Sequence, residues 1–179
     1  TIYSLVSDGA NLWLLTVDST TAAAFYKYNG VSWSAETTPW TAQTNLTSVS
    51  LTYDSTNSNL YAFVIKGSPE QAYWKSTPIS SVSWSAETSL GFTGGDLGHI
   101  SSPETGAGTA QIGVTLREGE FGIDYGFGNL TPATSKILNY QRIDVDSDSY
   151  YSLVSDGTNL WLLTQDASTA AAFYKYTSA

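Results

Sequence analysis

The sequence predicts an all-β protein, and three observations lead to this prediction. Apolar and polar residues alternate with a period of two in short stretches such as "NLYAFVI" and "AQIGVTL", which are rich in aromatic and β-branched residues. Clusters of turn-forming residues, such as "SDGAN" and "DSTNSN", separate these stretches. No segment keeps a helical period of about 3.6 over three turns, so we expect no helix of about ten or more residues.

The same pattern predicts fifteen strands in four groups. The first group lies near 3–7, 11–17, 23–28 and 31–36, and the second near 48–53, 59–66, 71–76 and 82–87. The third group lies near 98–102, 110–117, 120–126 and 136–144, and the last near 150–155, 159–165 and 170–176.

The chain starts and finishes on nearly the same sequence. Residues 3–28 recur as residues 151–176, and every aromatic residue is kept. The copies differ only at Ala10, Val17, Ser19 and Thr20, which become Thr158, Gln165, Ala167 and Ser168. A looser repeat lies inside the first, because "VSWSAET" occurs at Val31 and again at Val82. The repeating unit is therefore a four-stranded meander of roughly 50 residues.

Tandem four-stranded antiparallel units of this length are typical of β-propeller blades. One such sheet has two apolar faces and cannot bury both, whereas sheets stacked around an axis bury them against each other. The sequence predicts a single β-propeller or propeller segment over 1–179, with blades at about 3–47, 48–96 and 97–149 and an incomplete last blade at 150–179. β-Sandwich modules in series are the alternative, but they do not account for the internal four-strand repeat.

Aromatic residues at equivalent positions of these units are predicted to pack between sheets, and stacking against sugars is the alternative role for some of them. The predicted packing residues are Leu12, Trp13, Leu14, Leu15, Phe25, Tyr26, Trp33, Tyr61, Phe63, Tyr73, Trp74 and Trp84.

Several stretches, among them "LTYDSTNSNLYAFVI", "VSWSAETSLGF" and "IGVTLREG", resemble repeats of the sialidase-like (BNR-type) propeller superfamily. The pattern is most similar to the repeat arrays of large exported surface proteins. The Asp box of that superfamily reads Ser-x-Asp-x-Gly-x-x-Trp, and "SDGANLW" keeps these four residue types with a different spacing. The resemblance implies a propeller. It also implies glycosidase chemistry that needs an arginine triad, a tyrosine nucleophile with a glutamate base, and an aspartate acid.

The catalytic groups that this chemistry requires are scarce in the sequence. Arg117 and Arg142 are the only arginines, so an arginine triad cannot be built. His99 is the only histidine and there is no cysteine, which leaves no nucleophile–base pair and favours a structural histidine. Hydrolysis by paired carboxylates needs two acids, for which the candidates are Asp8, Asp54, Glu118, Glu120 and Asp124.

Three of the acids have a simpler interpretation. Asp8, Asp54 and Asp156 stand at equivalent turns, where an aspartate accepts hydrogen bonds from the backbone of its own turn. We therefore predict no catalytic residue, no bound cofactor and no enzymatic activity.

Two further patterns offer candidate sites. Asp144, Asp146 and Asp148 alternate in "DVDSDS" and could supply oxygen ligands to calcium, or they could form a solvated turn. Asn45 and Asn129 begin "NLT" sequons, which are glycosylation sites in an exported protein or chance triplets in a threonine-rich chain.

Composition narrows the classes of partner and the location. The formal net charge is −9 and the seven basic residues are scattered, which argues against binding to nucleic acid or to anionic membranes. No apolar stretch is long enough to span a bilayer. The chain has no cysteine or methionine and is rich in serine and threonine, which favours an extracellular protein or one on a cell or virion surface.

These observations lead to two functional hypotheses. The first is a non-enzymatic structural protein, a propeller repeat unit of an extracellular filament, fibre or surface appendage. The second copy stops before a fourth strand, which predicts an open edge at Ala170–Tyr176. Either the parent chain continues and two such units close one six-bladed ring, or self-association through this edge builds a polymer or tandem array, which is the outcome we favour. The alternative is a glycan-binding or glycosidase-type propeller with glycans as partners.

Overall fold

In the part of the chain that the structure describes, the strands pair as antiparallel sheets. The computed structural model describes residues 2–19, 21–94, 100–101, 104–105, 111–118, 123–131, 136–145, 151–156, 159–166 and 170–177. Over these residues the regular secondary structure is entirely β-strand, arranged as four sheets in chain order. This confirms the all-β prediction and the four-stranded antiparallel unit. The described residues contain no helix of the length and apolarity that crossing a membrane requires.

The first sheet consists of β1 (Ile2–Ser7), β2 (Leu12–Ser19), β3 (Ala22–Tyr28) and β4 (Trp33–Glu36), and the second of β5 (Ser48–Asp54), β6 (Asn59–Gly67), β7 (Glu70–Pro78) and β8 (Thr88–Gly94). The third consists of β9 (Ile100–Ser101), β10 (Glu104–Thr105), β11 (Gln111–Glu118), β12 (Ile123–Thr131) and β13 (Lys136–Val145). The fourth consists of β14 (Tyr151–Ser155), β15 (Asn159–Asp166) and β16 (Ala170–Thr177).

Each sheet is an up-and-down meander in which neighbours in sequence are neighbours in space. The third sheet departs from a plain four-strand meander, because β9 and β10 are short and both pair with β11. In the fourth sheet the described strands follow the order β14–β15–β16. The blade boundaries predicted from the repeat stay a prediction.

The strand predicted at 82–87 is wrong. The repeat predicts a strand there because the first copy of "VSWSAET" forms β4, but in the second sheet the outer strand β8 begins at Thr88. Val82 and Trp84 pack instead against the core between the first two sheets. The indole Nε1 of Trp84 donates a hydrogen bond to the carbonyl oxygen of Thr37, at 2.7 Å. Packing across the sheet interface therefore overrides the local strand pattern.

Most of the described core lies between the first and second sheets. The buried side chains come from facing strands of both sheets and from the segment between them: Trp13, Leu15, Val17, Ala23, Phe25, Trp40, Leu46, Val49, Leu51, Leu60, Ala62 and Val64. Phe25 stacks on Trp13 with ring centroids 5.6 Å apart and meets the edge of Trp84 at 5.2 Å. Burial of each large apolar side chain contributes about 1.5–3 kcal/mol.

The second sheet begins with a strand that is buried along almost its whole length. In β5 only Tyr53 is partly exposed, and Ser50 and Asp54 are buried with the apolar residues. The backbone N–H of Leu51 donates to the hydroxyl Oγ of Ser4 at 2.9 Å, so the first sheet satisfies a polar group of β5. β5 contacts β1 and β2 of the first sheet and β9, β10 and β11 of the third.

Four predicted packing residues lie on the side of the first sheet that faces away from the second, and these are Trp33 and the partly exposed Leu12, Leu14 and Tyr26. Trp33 in β4 is 47% exposed and lies against Tyr28, with ring centroids 5.3 Å apart. Its counterpart in the second copy of the motif, Trp84, reaches the core because the first sheet lies next to it.

Candidate functional site

The segment that joins the first two sheets, residues 37–47, is bonded to both of them. On the first sheet, Thr38 Oγ1 donates to the carbonyl oxygen of Ala23 at 2.6 Å. The backbone N–H of Gln43 donates to the carbonyl oxygen of Thr21 at 2.7 Å. On the second sheet, the amide of Gly67 donates to the carbonyl of Thr44 at 2.9 Å. This linker therefore holds its polar side chains at a fixed place between the sheets.

A lysine of the second sheet is the centre of a polar cluster at this linker. Lys66 Nζ forms an ion pair with Glu87 Oε2 at 2.7 Å and donates to Gln43 Oε1 at 2.5 Å. The ammonium also lies 4.8 Å from the centroid of the Tyr73 ring. We call Trp40, Gln43, Lys66, Tyr73 and Glu87 the Lys66 cluster.

Glu87 connects the two halves of the cluster. Its Oε2 accepts a hydrogen bond from the indole Nε1 of Trp40 at 2.6 Å and, at the same time, contacts Lys66. The Lys66 side chain is 13% exposed and that of Glu87 is 27% exposed. A charge-assisted hydrogen bond of this kind is stronger than a neutral one, because the carboxylate keeps its charge. The pair is therefore fixed in position and still reaches solvent.

A second lysine lies beside the cluster. Lys75 Nζ donates to the carbonyl of Pro39 at 2.8 Å and lies 5.8 Å from the Trp40 ring. The hydroxyl of Tyr73 donates to Gln71 Oε1. Ammonium, carboxylate, amide and aromatic groups thus meet at one place, which supplies both donors and acceptors for a polyhydroxylated ligand.

The three turn aspartates act as turn caps, as predicted. Asp8 Oδ1 accepts from the backbone amides of Ala10 and Asn11, at 2.8 and 2.6 Å, and Oδ2 accepts from the Trp13 indole at 2.8 Å. Asp54 accepts from the amides of residues 56 and 57, and Asp156 from Asn159 and Trp161. Backbone amides and side-chain N–H groups therefore occupy the oxygens of these carboxylates, which is the turn-capping role predicted for them.

The environment of Asp8 shifts its pKa downward. Partial burial acts to raise the pKa, but hydrogen bonds from the Asn11 side chain, the Trp13 indole and the amides of Asn11 and Ala10 outweigh it. Together they lower the pKa from 3.8 to about 2. The charged carboxylate is therefore the form that holds the turn.

This shift predicts a loss of stability in acid. Because the folded chain binds the Asp8 proton less tightly than the unfolded chain does, its contribution is complete above about pH 4 and disappears as the pH falls toward 2. Asp8→Asn removes the shift, and it leaves the Trp13 indole without its acceptor at a cost of about 1–3 kcal/mol. Urea unfolding of both proteins across this pH range is the measurement. Parallel pH profiles for the two proteins would contradict the role given to Asp8.

Three of the other predicted acids are brought into one row of the third sheet, and the rest lie outside the described residues. The backbone register places Glu118 of β11 opposite Asp124 of β12, and Asp124 opposite Asp144 near the end of β13. His99, Glu120, Asp146 and Asp148 lie outside the described residues, so the calcium site stays a prediction. In the described part of the chain, no three acids or histidines are grouped as metal ligands are.

The sequons differ in what the structure describes of them. Asn45 is exposed in the linker with a φ of 48°, a left-handed conformation that asparagine tolerates better than most residues. Asn129 lies in β12, where the backbone pairs with Gly113 and Leu138. Glycosylation at both sites stays a prediction.

The sequence interpretation missed the Lys66 cluster. Its members come from the linker, from β6 and β7, and from the segment before β8, and no local motif joins them. The one sequence signal is the repeat of "VSWSAET", which makes Glu87 the counterpart of Glu36. In the structure only Glu87 of these two glutamates has an ion-pair partner among the described residues.

No protein-family model matches the sequence, and no curated protein matches it. Solved structures do match. A fungal lectin from Aleuria aurantia, described as a six-bladed β-propeller with a novel mode of fucose recognition, has a TM-score of 0.69 and 14% identity and aligns with 98% of this chain. An exo-β-1,3-galactanase from Phanerochaete chrysosporium has a TM-score of 0.71 and 11% identity, also over 98% of the chain. The fold is a β-propeller.

Further structures lead to the same fold. The Bacteroides ovatus protein named Xyloglucan PUL GH43B has a TM-score of 0.69 and 14% identity, over 98% of this chain. These alignments cover 38%, 46% and 58% of the Bacteroides, Phanerochaete and Aleuria chains, so this chain spans from just under two fifths to just under three fifths of their length. At these identities the likeness establishes the fold. It supports a propeller and gives no specific support to the sialidase superfamily.

The prediction of no enzymatic activity is contradicted by these comparisons. The galactanases and the GH43 protein with this fold are glycosidases. The absence of an arginine triad excludes only chemistry of the sialidase kind. Glycoside hydrolysis by two carboxylates needs neither arginine nor histidine. The comparisons likewise favour the glycan-related hypothesis over the filament hypothesis.

Proposed function

We propose that this chain is part of a carbohydrate-binding propeller protein, with a glycan as its ligand. The observation that supports this most is the likeness of almost the whole chain to propellers named for fucose recognition and galactan cleavage. Export to the outside of the cell or to its surface is part of the proposal, since glycans of this kind are encountered there.

The Lys66 cluster is the proposed glycan site. A sugar ring presents neighbouring hydroxyl groups, each a donor and an acceptor, and a less polar face of C–H groups. The Lys66 ammonium can donate to one hydroxyl and the Glu87 carboxylate can accept from the next. The negative face of the Tyr73 ring attracts C–H groups of the sugar as it attracts the ammonium. Because neighbouring groups already orient these side chains, little freedom is lost on binding.

Isothermal titration calorimetry of the protein with fucose-, galactose- and xylose-containing oligosaccharides tests the proposal. Glu87→Gln is expected to weaken binding about tenfold or more, because the charged acceptor is lost while the Trp40 hydrogen bond can be kept. Glu36→Gln is the matched control, since Glu36 occupies the same position in the first copy of the motif, and it is expected to leave binding unchanged.

Two results would overturn this assignment. One is the absence of heat or spectral change with every saccharide at high concentration. The other is equal binding by wild type and Glu87→Gln, which would place the glycan elsewhere on the propeller.

Hydrolysis is the second candidate function, and the galactanase comparisons favour it. It requires two carboxylates flanking the glycosidic bond, about 5–5.5 Å apart for retention of configuration or about 6.5–9.5 Å for inversion. Release of galactose from β-1,3-galactan by the purified chain is the direct assay. Binding without release would assign the chain to the binding class alone.

A further inference from the structure

On one face the fourth sheet has four of the same residues as the face of the first sheet that packs on the second sheet. Val154, Trp161, Leu163 and Phe173 of the fourth sheet are the second copies of Val6, Trp13, Leu15 and Phe25. We call these four residues of the fourth sheet the C-terminal face. The registers β1–β2 and β14–β15 are the same, so each set shares one side of its sheet.

The two copies have the same internal geometry. Trp13 and Phe25 stack at 5.6 Å with an angle of 11° between rings, and Trp161 and Phe173 stack at 5.2 Å with an angle of 13°. The C-terminal face is therefore preformed as a copy of a working interface.

The two copies differ in what covers them. Leu15 and Phe25 are 0% and 1% exposed, because the second sheet packs on them. Leu163 and Phe173 are 47% and 63% exposed. Large apolar side chains exposed together in this way mark an interaction surface.

The first sheet has an uncovered face on its other side. Tyr3 and Leu5 are 68% and 51% exposed, and the strand register puts Trp33 in the row of Ser7, on the same side of the sheet. We call Tyr3, Leu5 and Trp33 the N-terminal face.

The N-terminal face occupies the positions that the second sheet uses to contact the first. Counted back from the turn aspartate of each sheet, Tyr3 and Leu5 correspond to Val49 and Leu51, which are 2% and 5% exposed against the first sheet. Trp33 corresponds to Trp84. The second sheet therefore shows what kind of surface packs on the first-sheet counterpart of the C-terminal face, and the N-terminal face is an exposed surface of that kind.

We propose that the C-terminal face of one copy of this chain binds the N-terminal face of a second copy, head to tail. The contact repeats the one between the first and second sheets. Trp33 of one copy meets Phe173 of the other as Trp84 meets Phe25, at 5.2 Å and 72°. This proposal does not depend on the glycan function.

The composition of the two faces favours a copy of the chain over an unrelated partner. Both faces are made of the residue types that already pack together inside the chain. The net charge of −9 makes two copies repel each other at long range, and salt screens this repulsion with a Debye length of about 8 Å at physiological ionic strength. Association is therefore expected to strengthen as salt is added. A contact between two different faces builds a ring if it closes and a filament if it does not.

Sedimentation of the full chain over a wide range of concentration tests the proposal. Wild type is expected to form dimers or larger species. Phe173→Ser on one face and Leu5→Ser on the other are each expected to weaken association at least about tenfold. Ala10→Thr is the control, because Ala10 is exposed in the turn before β2, belongs to neither face and is replaced by Thr158 in the second copy. Circular dichroism and thermal unfolding check that every variant is folded.

A mixture of the two variants gives the sharper result. Phe173→Ser keeps a working N-terminal face and Leu5→Ser keeps a working C-terminal face, so the two are expected to form a one-to-one pair that goes no further. A wild type that stays monomeric at every concentration overturns the proposal. So does a monomer in which the fourth sheet closes on its own first sheet, or an association that neither variant weakens.

Discussion

Replacement of Phe25 by alanine is expected to lower the free energy of unfolding by about 3–5 kcal/mol. Phe25 is 1% exposed and its ring contacts those of Trp13 and Trp84, so its loss leaves a cavity in the core between the two sheets. The same change at Phe173 is expected to cost less than about 1 kcal/mol in dilute protein, because Phe173 is 63% exposed.

The repeat makes this comparison unusually clean. Phe25 and Phe173 have the same neighbours in sequence, "TAAAFYKY", and stack on equivalent tryptophans. Strand propensity and unfolded-chain effects therefore cancel between the two variants, and the difference measures burial against the second sheet. Urea unfolding of both variants below the concentration of any self-association is the measurement. Equal losses at the two positions would contradict the packing of the first sheet on the second.

Replacement of Trp40 by alanine is also expected to lower the free energy of unfolding by about 3–5 kcal/mol, because Trp40 packs the linker against both sheets. Trp40 is 1% exposed, and its Nε1 donates to Glu87 at 2.6 Å. Trp40→Phe keeps most of the apolar volume and removes the donor, so it is expected to cost about 1.5–3 kcal/mol, the value of a hydrogen bond to a charged group.

Trp33→Ala is the control for the linker, since Trp33 is 47% exposed and its loss is expected to change stability by less than about 1 kcal/mol. Chemical unfolding followed by fluorescence compares the three variants. A Trp40→Ala protein as stable as Trp33→Ala would show that the linker does not fix the two sheets.

Local sequence patterns were sufficient to predict the first sheet and most of the second. Alternating residues give β2 a buried and a partly exposed side, whereas β6 is a continuous apolar run that is buried on both sides. The turn aspartates fix where the two strands begin. The pattern failed at 82–87, where a sequence that forms β4 in the first sheet packs on a neighbouring sheet instead. Both copies of the motif have the same local tendency to form a strand. Whether the strand forms depends on the packing between the first two sheets, which sequence alone does not show.

The candidate site could not be predicted from sequence for a related reason. Lys66, Gln43 and Glu87 become a cluster only when the linker is folded across both sheets. The sequence instead offers the turn aspartates as candidate acids, and their carboxylates accept hydrogen bonds from backbone amides and an indole. The scarcity of arginine excludes hydrolysis of the sialidase kind, but it does not exclude hydrolysis by two carboxylates.

The most direct test of glycan recognition is a titration followed by NMR, with the six tryptophan indoles as reporters. On addition of a fucosyl or galactosyl oligosaccharide, the Trp40 indole and the amides of Gln43 and Lys66 are expected to shift in a saturable way. The indole N–H signals of Trp13 and Trp161, which are hydrogen-bonded to turn aspartates, are expected to keep their chemical shifts. Unchanged spectra, or shifts confined to residues outside the Lys66 cluster, would contradict the site proposed for this propeller.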